Sequence, residues 1–323
     1  MYIFKFREIY KTPLWGGHKI GPFKGVELGP DPVGESWDVS AVEGDVSVIS
    51  NGEDAGMTLT ELIARDKGSM VGEHVWQQYG TTFPLLVKLI DACDNLSIQV
   101  HPNDELARRW HNSFGKTELW YVIDAEPGSG IYSGLNRAIT PQEYVERVAD
   151  NTIMDVLQFH EVKSGDVFFL PSGRIHAIGR GVFLAEIQQT SNITYRIYDY
   201  NRVDKDGKPR ELHTERAKEA IDYRMYDNLK TSYVPSCNTP VEIACCPYFT
   251  TSVLHIDEPM LREVASLDSF VIYMCVRGKA SIVADNGAQV DVKQGETCLV
   301  PASMHHVTIT PDGDTLLLES YVG

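Results

Sequence analysis

Four side chains from three separated stretches have the types and spacing to hold a divalent metal: Gln99, His101, Glu118 and His176. Gln99 and His101 are two residues apart, so on a strand both project from one face. Glu118 opens an apolar run, and His176 closes the segment after a Gly165-Asp166 turn. Two imidazoles and a carboxylate suit zinc, and iron or nickel nearly as well. The Gln adds a neutral oxygen, a weak ligand, and the set leaves a position open for water or substrate. Blander readings stand beside this one. A lone strand His is commonly a hydrogen-bonded structural residue, and Glu118 has Lys116 and Arg174 as surface partners. His18, His74, His111, His160 and His213 lack such a setting and read as surface or structural.

Short apolar runs bounded by turn signals would position these residues. Residues 85–90, 96–100, 118–123, 167–170, 182–188, 270–276, 280–284 and 316–321 read as strands. Many short strands at regular spacing predict an all-β sandwich or barrel. Helix signals are few. Residues 59–67 follow the capping candidates Thr58 and Thr60, and Asn103 opens a short helix through Trp110. Thr140-Pro141-Gln142-Glu143 sets a capping Thr, a first-turn Pro and a Glu three residues on. That helix should reach about Val148, with a further turn at 153–157. Residues 212–223 predict a helix linking two halves.

An internal repeat divides the chain. Residues 162–176 (VKSGDVFFLPSGRIH) align with 292–306 (VKQGETCLVPASMHH). The shared pattern is a Gly-acidic turn, a buried strand, a Pro that ends it, then a His. Residues 120–123 align more loosely with 272–275, at an offset larger by about the length of the Thr140 segment. The first copy thus reads as the second with a helical insertion at about 136–158. Two related barrels in tandem describe a bicupin: mainly β, two jelly-roll barrels, one small helical insertion and a linking helix. His306 aligns with His176, but Phe270 falls opposite Glu118 and no Gln-x-His strand precedes it. The second barrel is expected to be metal-free and His306 structural.

Composition narrows the partners. The 323 residues are 43% hydrophobic and 23% charged, ordinary for a globular chain. Net charge is −16, which argues against nucleic acid, since a phosphate backbone needs a basic face. No apolar run is long enough to span a membrane. The opening MYIFKFREIYKTPLWGG has no basic start before an apolar core, so no secretion signal is read. The six cysteines, Cys93, Cys237, Cys245, Cys246, Cys275 and Cys298, show no CxxC spacing. Reduced thiols in a cytoplasmic protein are expected.

Several blocks resemble one family. Residues 84–91 (PLLVKLID), 96–104 (LSIQVHPND), 115–121 (GKTELWY), 171–177 (PSGRIHA) and 188–200 (QQTSNITYRIYDY) look like the signature blocks of type I mannose-6-phosphate isomerases. So does GESWD at 34–38, and the spacing fits the shorter bacterial form. The likeness covers nearly the whole chain and weakens after about residue 225.

The resemblance implies a zinc-dependent cupin isomerase that interconverts mannose 6-phosphate and fructose 6-phosphate. It implies one zinc per chain on Gln99, His101, Glu118 and His176. Arg196 takes the position of the catalytic or substrate-binding Arg, and Lys116 that of the active-site Lys. Ser97 and Lys88 take positions near the phosphate, and Glu186 is a further pocket residue. Two departures stand out. Ile178 replaces a Tyr of the longer members, and their large helical insertion shrinks to the Thr140 segment. The implied division is a catalytic barrel over 1–210, a linking helix over 211–230 and a second barrel over 231–323.

Moving a carbonyl between C1 and C2 needs a proton taken from beside it and a cation near its oxygen. Lys88, Lys116, Arg174 and Arg196 would give an acidic protein the local positive charge a phosphosugar requires. Each has a rival reading: Lys88 as a snorkelling strand residue, Arg174 as a surface charge, Arg196 as the ion-pair partner of Asp199. The proton carrier stays open between Lys116, Glu186, His111 and a metal-bound water. Rival functions are a cupin phosphoglucose isomerase, a non-haem iron oxygenase and a non-catalytic sugar-binding cupin.

Overall fold

Alternation within apolar strands sorts side chains into two layers, and that sorting builds the molecule. The computed structural model describes residues 1–203 and 206–323. In strand Glu118–Ala125, Leu119 and Tyr121 face one layer while Trp120 and Val122 face another. Strands Leu85–Asp91 and Val182–Gln189 split the same way: Val87, Leu89, Ala185 and Ile187 join the first layer, Ile90 and Leu184 the second. The first layer is shared with the second half of the chain, where Ile272, Met274 and Leu318 supply the opposing side. Phe83 and Phe270 meet there with ring centroids 4.4 Å apart.

The fold is a tandem cupin. One barrel joins a six-stranded sheet to a five-stranded one. The six-stranded sheet runs Val167–Leu170, Glu118–Ala125, Val182–Gln189, Leu85–Asp91, Glu35–Val39, Ile9–Lys11. The five-stranded sheet runs Leu157–Glu161, Gly130–Leu135, His176–Ile178, Ile98–Val100, Tyr195–Tyr198. The second half repeats the order. Thr297–Val300, Val271–Arg277, Thr315–Tyr321, Thr250–Ile256 and Val241–Cys245 form one sheet; Gln289–Lys293, Lys279–Ala284, His306–Pro311 and Met260–Glu263 form the other.

Register corrects one alignment. Phe168 pairs with Trp120, and its repeat counterpart Cys298 pairs with Tyr273. The counterpart of Glu118 is therefore Val271, one residue beyond Phe270. A slip of one residue on a strand reverses the facing of every side chain. Val271 packs in an apolar barrel core with Leu254, Ile282, Val307 and Leu317. His306 is only part-buried, at the start of its strand.

Helices form where caps were read. Thr58 caps Leu59–Asp66 in a reciprocal box with Glu61, Asn103 caps Asp104–His111, and Thr140 caps Pro141–Ala149. The linking helix is shorter than expected, Thr214–Ala220. Ile20–Lys24, Gly68–Val71 and Glu73–Tyr79 lack side-chain caps and gave no local signal. Among the described residues no helix is long and apolar enough to cross a membrane. All six cysteines are free.

Candidate active site

The layer sorting turns a polar row into the first barrel. Leu119 and Tyr121 pack against the second barrel, so Glu118 shares the inward face with Trp120. Lys88 and Glu186 turn inward for the same reason. On the opposite sheet Ile98, Val100, Ala177, Tyr195 and Ile197 pack outward beneath the helices. Gln99, His101, His176 and Arg196 are left facing in. Arg196 and Gln99 are direct partners across the ladder, as are His176 and Gln99.

Ligand atoms of His101, Glu118 and His176 all lie within 4.8 Å of one another, and the three residues are buried. It is the one such group of three or more among the described residues. Each imidazole is oriented by a carbonyl: His101 Nδ1 lies 2.8 Å from the Ile193 carbonyl and His176 Nδ1 2.8 Å from that of Arg174. The Nδ1 hydrogens are thereby spent, and both Nε2 lone pairs point inward. Gly173, at φ +87°, makes the turn before His176 and donates its N–H to the His101 carbonyl at 2.9 Å. A Cβ there would meet the Ala220 carbonyl oxygen at 2.9 Å.

The donors behave as a cation site. His176 Nε2 faces Glu118 Oε1 at 3.1 Å, and that oxygen is buried without a hydrogen-bond partner. Two acceptors at that distance repel unless positive charge lies between them. The Gln99 amide is 3.3 Å from His176 Nε2, and rotating it by half a turn presents its oxygen instead. The residues fit a divalent metal. The nearest cation is the Lys116 ammonium, 3.0 Å from His101 Nε2 and bonded to Glu118 Oε2.

Burial and charge set the protonation states. Burial, then the Lys116 charge, holds His101 well below its usual value and brings His176 down to about 3. Both rings are neutral at neutral pH, as ligands must be. Burial raises Glu118 above the ordinary carboxylate range against the pull of Lys116. For Glu186 burial acts upward, but the Lys116 and Lys88 charges outweigh it and hold it low.

Beside this cluster lies a cleft of about 200 Å³ lined by Ser97, Gln99, Lys88, Lys116, Glu186 and Arg196; Gln99 and Lys116 separate it from the buried His101, Glu118 and His176. Lys88 is buried rather than snorkelling, 3.0 Å from Glu186, 3.4 Å from Glu35 and over the Trp37 ring. Glu118 pairs with Lys116 inside the barrel, not at the surface. Arg196 makes no ion pair with Asp199 among the described residues. Its Nη1 donates to the Glu211 carbonyl at 2.9 Å, and its Nε is buried without a partner. Arg174 lies away from the cleft, stacked 4.5 Å over the Tyr226 ring. It is mostly buried, so neither the cleft cluster nor the surface-charge reading describes it.

The cleft also holds residues that were not singled out: Glu35, Trp120, Asn192, Thr194 and Arg210. Trp120 donates to Glu186 at 2.7 Å. Asn192, Thr194 and Arg196 recur every second residue, a period that could have placed them on one face. Arg210 sits in a loop and carries no local signal. A larger hollow of about 530 Å³ near Gly17–Val33 is lined mainly by glycine and apolar residues without converging donors.

Comparison with known proteins gives consistent matches. Residues 3–126 match the family model "Phosphomannose isomerase type I, catalytic domain", and 241–321 match "Mannose-6-phosphate isomerase, cupin domain". The "Probable mannose-6-phosphate isomerase GmuF" of Bacillus subtilis is 34% identical over 93% of this chain and 94% of its own. The mannose-6-phosphate isomerase ManA of the same organism is 41% identical over 67% of each. A crystal structure of the mannose 6-phosphate isomerase from Bacillus subtilis covers 99% of both chains with TM-score 0.88 at 30% identity. A variant of the phosphomannose isomerase from Salmonella typhimurium, 17% identical with TM-score 0.81, shares the fold. By these matches the chain belongs to the type I mannose-6-phosphate isomerase family of enzymes.

Proposed function

We propose that this chain is a zinc-dependent aldose–ketose isomerase that interconverts mannose 6-phosphate and fructose 6-phosphate by moving a proton between C1 and C2. The observation that carries the reading is the buried His101–Glu118–His176 cluster, joined through Gln99 and Lys116 to a cleft whose Arg196 keeps an unspent donor. Gln99, His101, Glu118 and His176 would hold one zinc per chain. When bound, the ion supplies Lewis-acid polarisation of the sugar oxygens.

The chain's own residues supply the rest. Arg196 lines the cleft, keeps a buried Nε–H without a partner, and stabilises negative charge developing on a sugar oxygen. Lys116 stands between Glu118 and Glu186, 3.8 Å from the latter, and donates to a sugar oxygen. Glu186 is held ionised by two ammonium groups and is a weak base for that reason. It accepts a sugar hydroxyl and keeps Lys88 and Lys116 in place. Ser97 offers a hydroxyl on the same wall. Trp120, Ile90, Leu96 and Ile178 form an apolar wall that excludes water. The free thiols fit a cytoplasmic location.

The test is to incubate the protein with mannose 6-phosphate and follow fructose 6-phosphate, with and without chelator. Arg196→Ala should lower turnover by about 10²–10³-fold with metal content intact. Full turnover after metal removal would end the metal-dependent reading, and near-normal kinetics of Arg196→Ala would end its assigned role.

A further inference from the structure

Arg210 is a cationic cleft residue that nothing above has used. We propose that Arg210, clamped by Asp199, joins Arg196 as the subsite for the phosphate of the sugar, with Asp199 its positioning residue. This rests on the isomerase reading for the identity of the ligand, though not for the existence of an anion site.

The position follows from strand register. Tyr195 pairs with Val100, Arg196 with Gln99 and Tyr198 with Ile98. The strand therefore runs away from His101, and Asp199 comes next, on the side of Ser97. A hexose 6-phosphate carries its phosphate at the far end of the carbon chain from C1 and C2. With the reacting carbons near the ligand quartet, an anion subsite belongs further along the cleft, beyond Arg196.

The geometry there is built rather than incidental. Asp199 is 4% exposed and grips Arg210 at two points, Nε to Oδ2 at 2.7 Å and Nη2 to Oδ1 at 2.5 Å. Among the described residues Nη1 has no partner, so its hydrogens are the donor edge left to a ligand. Arg202 braces the same carboxylate at 2.6 Å and is itself tied to the Asn95 carbonyl at 2.6 Å, in the turn that leads to Ser97. One carboxylate thus serves two guanidinium groups. Arg196 stands close enough that the Arg210 charge, after burial, lowers its proton affinity. Two guanidinium groups facing one cleft repel, and the arrangement leaves Arg196 Nε buried and unsatisfied. An anion with several acceptor oxygens relieves both. Lys88 and Lys116 cannot do this work, because Glu35, Glu118 and Glu186 already neutralise them.

The experiment uses the metal-loaded full chain. Inorganic phosphate is titrated calorimetrically into wild type, Arg210→Met, Arg210→Lys and Asp199→Asn, and KM and kcat for mannose 6-phosphate are measured in parallel. Arg210→Met should weaken phosphate binding by about tenfold or more and raise KM more than it changes kcat. Arg210→Lys should retain part of the affinity, and Asp199→Asn should fall between, since it loosens Arg210 without removing its charge. A purely structural clamp would move the melting temperature and leave phosphate affinity alone. Unchanged phosphate affinity in Arg210→Met, or in Arg210→Lys if the first does not fold, overturns the proposal. Should wild type bind phosphate, the variants bind it weakly, and none isomerise the sugar, the subsite stands and the isomerase reading falls.

Discussion

Replacing Lys116 with Met should tighten metal binding while disabling turnover. In the structure the Lys116 ammonium is bonded to Glu118 and sits 3.0 Å from His101 Nε2, so it would compete with an ion for two of the four proposed ligands. Glu118 is fully buried and Lys116 is 5% exposed. Removing one partner of a buried ion pair costs about 3–5 kcal/mol. Uptake of a proton by the stranded carboxyl brings the loss toward the lower figure, about 3 kcal/mol. A bound divalent ion already neutralises Glu118, so the metal-loaded protein should lose little. The thermodynamic cycle then requires the difference to appear as affinity. At about 1.4 kcal/mol per tenfold, metal should bind about a hundredfold more tightly. The assay is a competitive chelator titration on wild type and Lys116→Met, with denaturant unfolding of each in chelator and in excess zinc. Affinity that falls or stays constant would refute the competition, and equal destabilisation with and without metal would refute the charge argument.

Three further outcomes are expected. His101→Ala should bring metal per chain to near zero by elemental analysis while leaving the circular dichroism spectrum intact; full occupancy in that variant removes His101 from the ligand set. Lys24 is buried and bonds both Asp38 oxygens at 3.1 Å, while Asp38 accepts from Thr297 of the second barrel at 2.9 Å. Lys24→Met should therefore lower unfolding stability by about 3–5 kcal/mol, and a loss within error would mean the barrels do not depend on this hub. For Asp199, burial acts to raise its pKa but the Arg210 and Arg202 bonds outweigh it and hold it below the ordinary value. Its contribution to stability is thus whole above the unfolded value of about 3.9 and fades as pH falls through the lower folded value. The stability gap between wild type and Asp199→Asn should narrow between neutral pH and about pH 3; a gap that stays constant would separate the clamp from carboxylate ionisation.

Much of the frame was legible because its signals are local. The run 167–170 is the strand Val167–Leu170, and 118–123 lies within Glu118–Ala125, since an apolar run between turns has few other uses. The caps at Thr58, Asn103 and Thr140 were readable because a helix start needs a side-chain acceptor close in sequence. Ile20–Lys24, Gly68–Val71 and Glu73–Tyr79, which have no side-chain cap, were not, although Thr214–Ala220, equally uncapped, was. The same limit applies to the cleft: Asn192 and Thr194 follow a period of two, but Arg210 is brought in by an ion pair across a loop. Arg174 failed for the converse reason. It is next but one to a ligand, yet the stack on Tyr226 draws it away.

Residue type and spacing by themselves determined a tandem barrel and singled out a donor set with the chemistry to hold one cation, because strand period and ligand chemistry are properties of short segments. Which face is inside was decided only by tertiary packing: Leu119 and Tyr121 bury against the second barrel, and this turns Glu118 inward. Packing also decided which charges remain free. Lys88, Lys116, Arg196 and Arg210 look alike in the sequence, but buried carboxylates neutralise the two lysines and leave Arg196 Nε unpaired. Charge balance in a buried cleft depends on neighbours far apart in the chain, and no local pattern records them.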